Sequence, residues 1–357
     1  MTDGMRDGWF AGIPYPLQDM RPDGFLGRQF AHAHAPMLQV SPDPRLWSDD
    51  ALLFALSLYG SDTVGNYILG RPAYLRWLEG SEKNPRVIAE KDVPWHYLDL
   101  AEQALQEHYE GSSAGGEFPK FAALRDFEGR AEHVLVKFSG SDDSAGTRRW
   151  ADLLVCEHIA SQVAEQLPGV TGSVSRVLQV GGRTLLEVVR FDRHALRGRS
   201  GVCSWAAINR DWFGLADSWA AGAGRLLRSG LIDAAVHDAV VSLWHFGRLI
   251  ANTDMHDHNL SFVPGPAIGA QLQLAPVYDM LPMLYAPARG VELPAKDFAP
   301  PLPLPAERPL WRRAAATALN FWERCGADDR ISQTFRATCA ENAVRLRRVM
   351  DLPATTN

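Results

Sequence analysis

The spacing of hydrophobic positions changes several times along the chain, and the changes mark out its elements. Leu52, Leu53, Leu56 and Leu58 recur at near-helical spacing and predict a helix over 48–59, followed by helices over 65–80 and 93–108. The preceding 48 residues, rich in Pro, Gly and aromatics (GWFAGIPYPLQDMRPDGFLGRQFA), read as irregular structure packed on something larger. Gly111-Ser112-Ser113-Ala114-Gly115-Gly116 is too glycine-rich for a regular element. Beyond it, 121–124 and 132–138 (EHVLVKF) predict a hairpin that turns over 126–130. Apolar residues at 153, 156, 160, 163 and 167 predict a helix over 149–167. Strands over 174–180 and 184–191 flank Gly181-Gly182 as a second hairpin. Helices then dominate, over 204–207, 216–228, 233–251, 311–322 and 331–350. Short strands at 260–263 and 272–274 interrupt them, and the proline-rich run 298–309 reads as a linker or strap.

The pattern is therefore a β-rich half followed by a helical half, meeting near residue 191. With 357 residues, of which 46% are hydrophobic and 22% charged, the chain can bury a sizeable core in two lobes. A net charge of −6 gives no electrostatic reason to expect DNA or an anionic membrane as the main partner. Cys156, Cys203, Cys325 and Cys339 are widely spaced, as reduced thiols of a cytosolic protein would be. The start MTDGMRDGWF does not read as a signal peptide, and no apolar run approaches the roughly 18 residues of a membrane span. These features predict a cytoplasmic protein.

The stretch LIANTDMHDHNLSF at 249–262 carries the strongest chemical signal. Asp254 precedes Asn259 by five positions, and Tyr278-Asp279 follows a predicted hairpin. Phosphoryl transfer needs charge at fixed positions: a carboxylate base, and oxygen ligands for the magnesium ions on ATP. Asp254 suits the base, Asn259 and Asp279 suit the metal, and His256 lies between them near the transferred phosphate. Lys137, at the end of a strand, suits the α- and β-phosphates, and Glu157 in the next helix suits that lysine. Arg190-Phe191-Asp192-Arg193 ends the last strand of the first half, where an aromatic could line an adenine slot. Each residue also has a plain structural reading. Asp254 could end a helix, Asp279 could cap a turn, Lys137 could lie at the surface, and Arg190 could pair with Asp192 in solvent. His256-Asp257-His258, with His245, also admits a metallohydrolase, although histidines at i and i+2 cannot share one helical face.

With these motifs in order, the chain resembles the HipA family of bacterial serine/threonine kinases, toxins of toxin–antitoxin systems. The likeness is carried by SSAGGEFPKF, Lys137, RFDR, LIANTDMHDHNLSF and LAPVYDM, across roughly 110–290. The opening YPLQDMRPDGFLGR is similar to the YjjJ or HipH-like subgroup, and the expectation is that this chain lacks that subgroup's N-terminal DNA-binding segment. The resemblance implies an α+β, two-lobed protein-kinase-like fold with a β-rich N-terminal lobe over 1–190 and a helical C-terminal lobe over 191–357. Within the first lobe, 1–105 is expected to be an accessory subdomain and 106–190 the nucleotide-binding sheet. It further implies ATP and Mg2+ as cofactors. A phosphate-covering loop would be formed by Ser112, Ser113, Ala114, Gly115 and Gly116, with Ser112 or Ser113 autophosphorylated. A phosphate there adds about −1.5 to −2 charges and would repel ATP. The implied partners are a protein substrate, such as an aminoacyl-tRNA synthetase, and an antitoxin; direct nucleic-acid binding is not expected. Val189 departs from the family's usual Glu before RFDR, and Lys120 in GGEFPK leaves its own role open. The alternatives are a kinase-fold binding protein, a DNA-acting protein and a small-molecule phosphotransferase.

Overall fold

A computed structural model describes residues 12–82, 86–106, 118–215, 217–265, 269–288, 293 and 296–352. The chain opens with helices α1 (Tyr15–Gln18), α2 (Gly24–Leu38), α3 (Asp49–Tyr59) and α4 (Arg71–Glu82). The 15-residue α2 corrects the expectation of irregular structure before residue 48. Pro22 and Gly24 sit at its start, where a helix tolerates them, whereas Pro36 lies inside it and ends its hydrogen-bond ladder within the last turn. Between them Phe25, Gly27, Ala31 and Ala35 form a buried stripe. Helix α4 starts later than the expected residue 65, after Gly70 adopts a left-handed conformation with φ of +76°.

A short strand β1 (Val87–Ile88) and helix α5 (Val93–Gln106) lead into β2 (Lys120–Phe127) and β3 (Arg130–Phe138). Helix α6 (Ala145–Ala164) separates these from β4 (Ser175–Val180) and β5 (Arg183–Val189). The five strands form one sheet in the order β1-β2-β3-β5-β4, with β1 parallel to β2 and the other pairs antiparallel. Both hairpins turn through two residues with positive φ, Glu128-Gly129 and Gly181-Gly182, a conformation whose twist matches the flanking strands. That tight turn is why β2 runs to Phe127, past the expected end.

The sheet buries two faces. Leu186 joins α6 in the large core, whereas Phe121, Val134, Val136, Phe138 and Leu185 pack on α5 and on Phe25 of α2. The chain then forms a small hairpin, β6 (Arg193–His194) with β7 (Gly198–Arg199). Strand β8 (Cys203–Ser204) leads to α7 (Trp205–Trp212), α8 (Trp219–Arg228) and α9 (Ala234–Leu249). The expected hairpin of β9 (Ser261–Val263) and β10 (Gln273–Leu274) is present, and β8 adds a third strand to it. Helices α10 (Arg308–Ala327) and α11 (Gln333–Met350) complete the helical lobe around Trp205, Trp219, Phe246 and Trp322. Cys156, Cys325 and Cys339 are buried free thiols in this core. The result is a mixed α/β molecule of two lobes, with the end of β5 at their junction.

Candidate active site

Strand alternation carries Lys137 to the α6 face of the sheet, where its side chain is about one-tenth exposed. Its Nζ donates to Glu157 Oε1 at 2.6 Å and Oε2 at 2.9 Å, and also to Asp279 Oδ1. Glu157 projects from a helix that is buried over most of its length. One ammonium thus joins a helix of the first lobe to a loop of the second. Burial pushes the Lys137 pKa below its ordinary value, Glu157 pulls it back up, and Lys120 pushes it down again. Lys120 stands directly opposite Lys137 in the β2–β3 register, so both lysines share one face.

Asp279 adopts a left-handed backbone with φ of +53°, which an Asp tolerates better than most residues. Three anchors hold the loop around it. Tyr278 donates its hydroxyl to the His258 carbonyl at 2.8 Å and lies 2.6 Å from Ser261 Oγ. The buried amide of Asn252 donates to the Asp279 carbonyl at 3.4 Å and accepts from Asp254 N at 3.0 Å. Asn259 Nδ2 in turn donates to the Asp254 carbonyl at 2.9 Å. One hydrogen-bonded chain therefore runs Asp279, Asn252, Asp254, Asn259. Asn252 escaped the sequence reading; an Asn two positions before the candidate base, able to accept its backbone N–H, was the available signal. Gly247 was missed as well. A Cβ there would come within 2.5 Å of Met255 Sδ and 3.1 Å of Met280 Sδ, so its absence lets both loops close on α9.

The Asp254 and His256 side chains are each about half exposed, 4.0 Å apart. Both line a cavity of about 430 Å3 together with Trp244, Arg248, Asn252, Thr253 and Met255. Trp219 Nε1 donates to the His256 carbonyl at 3.3 Å, and Asn209 Nδ2 to Asp257 Oδ2 at 3.0 Å. The loop is therefore pinned from behind while its candidate base faces outward. Phe191 stacks on Tyr278, the residue before Asp279, with ring centroids 6.1 Å apart. The Arg190 and Asp192 side chains, expected near a nucleotide, are instead engaged with each other at 3.0 Å and with the Asp62–Gly65 loop. Ser112, Ser113, Ala114, Gly115 and Gly116 lie outside the described residues.

Two carboxylates meeting one ammonium leave negative charge uncompensated, and the side chain of Asp279 remains 30% exposed. The candidate ligands Asp279 and Asn259 carry carboxylate and amide oxygens, the hard donors that magnesium prefers, and magnesium needs only one or two carboxylates when phosphates and waters complete its shell. The residues present fit that ion. Among the described residues, no group of three or more His, Cys, Asp or Glu side chains is arranged to hold a metal ion by itself.

Comparison with known proteins identifies the family and the fold. Residues 1–78 match the YjjJ-like toxin middle domain, and residues 112–344 match the HipA-like C-terminal domain. Toxin YjjJ of Escherichia coli (strain K12) is 36% identical over 345 residues, covering 96% of this chain and 76% of that protein. The chain belongs to the HipA-like toxin family. A chain of the Shewanella oneidensis MR-1 toxin–antitoxin complex of HipA, HipB and operator DNA shares the family fold. The TM-score is 0.54 at 16% identity, over 95% of this chain and 88% of that one. The two-lobed layout is accordingly the kinase-like fold of HipA-like proteins. Among the described residues no helix is long and apolar enough to cross a membrane.

Proposed function

We propose that this HipA-like toxin is an ATP- and magnesium-dependent serine/threonine protein kinase. The observation that carries the reading is the Lys137 ammonium held between Glu157 of one lobe and Asp279 of the other. Glu157 orients Lys137 towards the α- and β-phosphates of ATP, in a cleft where burial strengthens each charge. Asp279 and Asn259 hold magnesium, which supplies the positive charge that offsets the transferred phosphoryl group. Asp254, fixed through its backbone by Asn252 and Asn259, accepts the proton of the attacking serine or threonine hydroxyl. His256 stands beside it and would lie near the transferred phosphate, and Phe191 with Tyr278 would offer an aromatic wall to the adenine.

Family membership supports three finer parts of the reading. Ser112 or Ser113 is autophosphorylated, the substrate is a translation-related protein such as an aminoacyl-tRNA synthetase, and an antitoxin binds the toxin. The Shewanella complex holds HipA with HipB, and an equivalent partner belongs to this reading. Incubation with γ-labelled ATP and magnesium, read by label transfer and intact mass, tests the chemistry. Wild-type protein gains phosphate, and Asp254→Asn and Asp279→Asn each lose transfer. Transfer that survives both substitutions would remove the mechanism.

A further inference from the structure

The loop that follows α3 is tied to the end of β5 by a closed group of charges. Asp62 Oδ1 accepts from Arg190 Nη1 at 3.0 Å and Arg193 Nη2 at 2.8 Å, with Arg199 Nη2 at 3.8 Å. Arg193 also donates to the Gly65 carbonyl at 2.8 Å and to Asp192 Oδ2 at 2.6 Å. Asp192 Oδ2 closes the ring by accepting from Gly65 N at 3.0 Å. The three guanidinium side chains are each less than one-tenth exposed. Three buried cations therefore face two carboxylates, and only Asp62 comes from the N-terminal region matched by the YjjJ-like middle domain.

Phe191 sits between Arg190 and Asp192 in the chain, so fixing its neighbours fixes its backbone. Its ring stacks on Tyr278, whose hydroxyl is anchored to the candidate catalytic loop and whose next residue is Asp279. A continuous path of direct contacts thus runs from Asp62 to the candidate metal ligand. We propose that the N-terminal module is a built-in clamp on the nucleotide site, with Asp62 as the positioning residue that holds Phe191 against Tyr278. This rests on the nucleotide-binding reading of that cleft. Without Asp62, three buried guanidiniums would face Asp192 alone. Their mutual repulsion would open the strand end and release the aromatic wall. A purely local staple would affect only the loop around residues 60–66.

The test uses the full chain and two measurements. Amide hydrogen exchange without nucleotide is compared between wild type and Asp62→Ala over 189–193 and 277–279. Binding of a fluorescent ATP analogue with magnesium is then titrated in both proteins. The clamp predicts that exchange at both segments rises about threefold to fivefold. It also predicts that nucleotide affinity falls about threefold, with transfer at saturating ATP retained. Asp62→Glu, which keeps the charge, recovers part of the affinity. Faster exchange confined to 60–66, or unchanged affinity in a folded variant, would overturn the proposal. If wild-type protein binds no nucleotide, the kinase reading falls and the exchange measurement alone decides the clamp. Should Asp62→Ala fail to fold, Asp62→Asn keeps an acceptor without the charge and takes the same measurements.

Discussion

Lys137 pairs with Leu186, and the next position along, Val136, pairs with Glu187, so Lys137 and Glu187 leave one sheet on opposite faces. Each is the centre of an ionic cluster, and the clusters differ in how completely they are satisfied. Glu187 is 1% exposed and accepts from Arg125 Nη2 at 2.7 Å, Arg176 Nη2 at 3.0 Å and the Tyr97 hydroxyl at 2.5 Å. Burial, and then the Glu187 charge, push the Tyr97 hydroxyl pKa above its ordinary value, so it remains a donor. This carboxylate has its donors and is closed to solvent. At Lys137 the balance is reversed, with two carboxylates sharing one cation and one of them open to the cleft. In a buried charge cluster that is complete, losing one partner is costly, while one left short of cations is ready to take a ligand.

The sharpest way to break this contrast is to remove the buried ion pair of the open cluster, leaving only the part-exposed Asp279 carboxylate without its partner. A Lys137→Met/Glu157→Leu double variant should cut phosphoryl transfer by about a hundredfold or more. Its melting temperature should stay near wild type, because replacing a buried ion pair with apolar groups is often neutral. A collapse in stability would show that the Lys137 cluster holds the fold together. The reverse experiment is Glu187→Gln, expected to cost about 3 kcal/mol in denaturant unfolding by leaving buried guanidiniums uncompensated. The KM for ATP of the folded fraction should not change. Acid gives the smallest effect. Burial raises the Asp62 pKa, but Arg190, Arg193 and Arg199 outweigh it and hold the carboxyl near about 2, below its ordinary 3.8. Burial pushes the Asp192 carboxyl up as well, but Arg190 and Arg193 outweigh it and hold it low, while burial pushes nearby His133 down. The Asp62 contribution is therefore full above about pH 4 and is lost as pH falls towards about 2. The Asp62 side chain is 56% exposed, so screening limits the contribution to about 1 kcal/mol or less. Acid unfolding of Asp62→Asn beside wild type measures it: the two curves should converge at the acid end.

Period-two alternation in EHVLVKF is enough to put Lys137 on a sheet face, and helical spacing puts Glu157 on the next element. The five-residue interval from Asp254 to Asn259 likewise marks the candidate catalytic loop from sequence alone. These signals are local, and local regularity is what a single sequence displays. Arg125 meets Glu187 across 62 positions and Asp62 meets Arg190 across 128, so no periodicity connects them. Arg190 and Asp192 show the cost of that blindness. Their place at the end of β5 is legible, but the partner that occupies their side chains lies in another module. Helix α2 is hidden for a different reason, since its prolines and glycines speak against a helix unless their positions within it are known.

The parallel pairing of Val87 with Leu124 and Ile88 with Arg125 covers the outer edge of β2. Together with α5, it makes the residues before 107 part of the central sheet's own packing. A fragment begun where the HipA-like match begins would carry an uncovered edge strand and an apolar face that α5 normally shields, an invitation to intermolecular pairing. The kinase-like portion is therefore not a detachable unit.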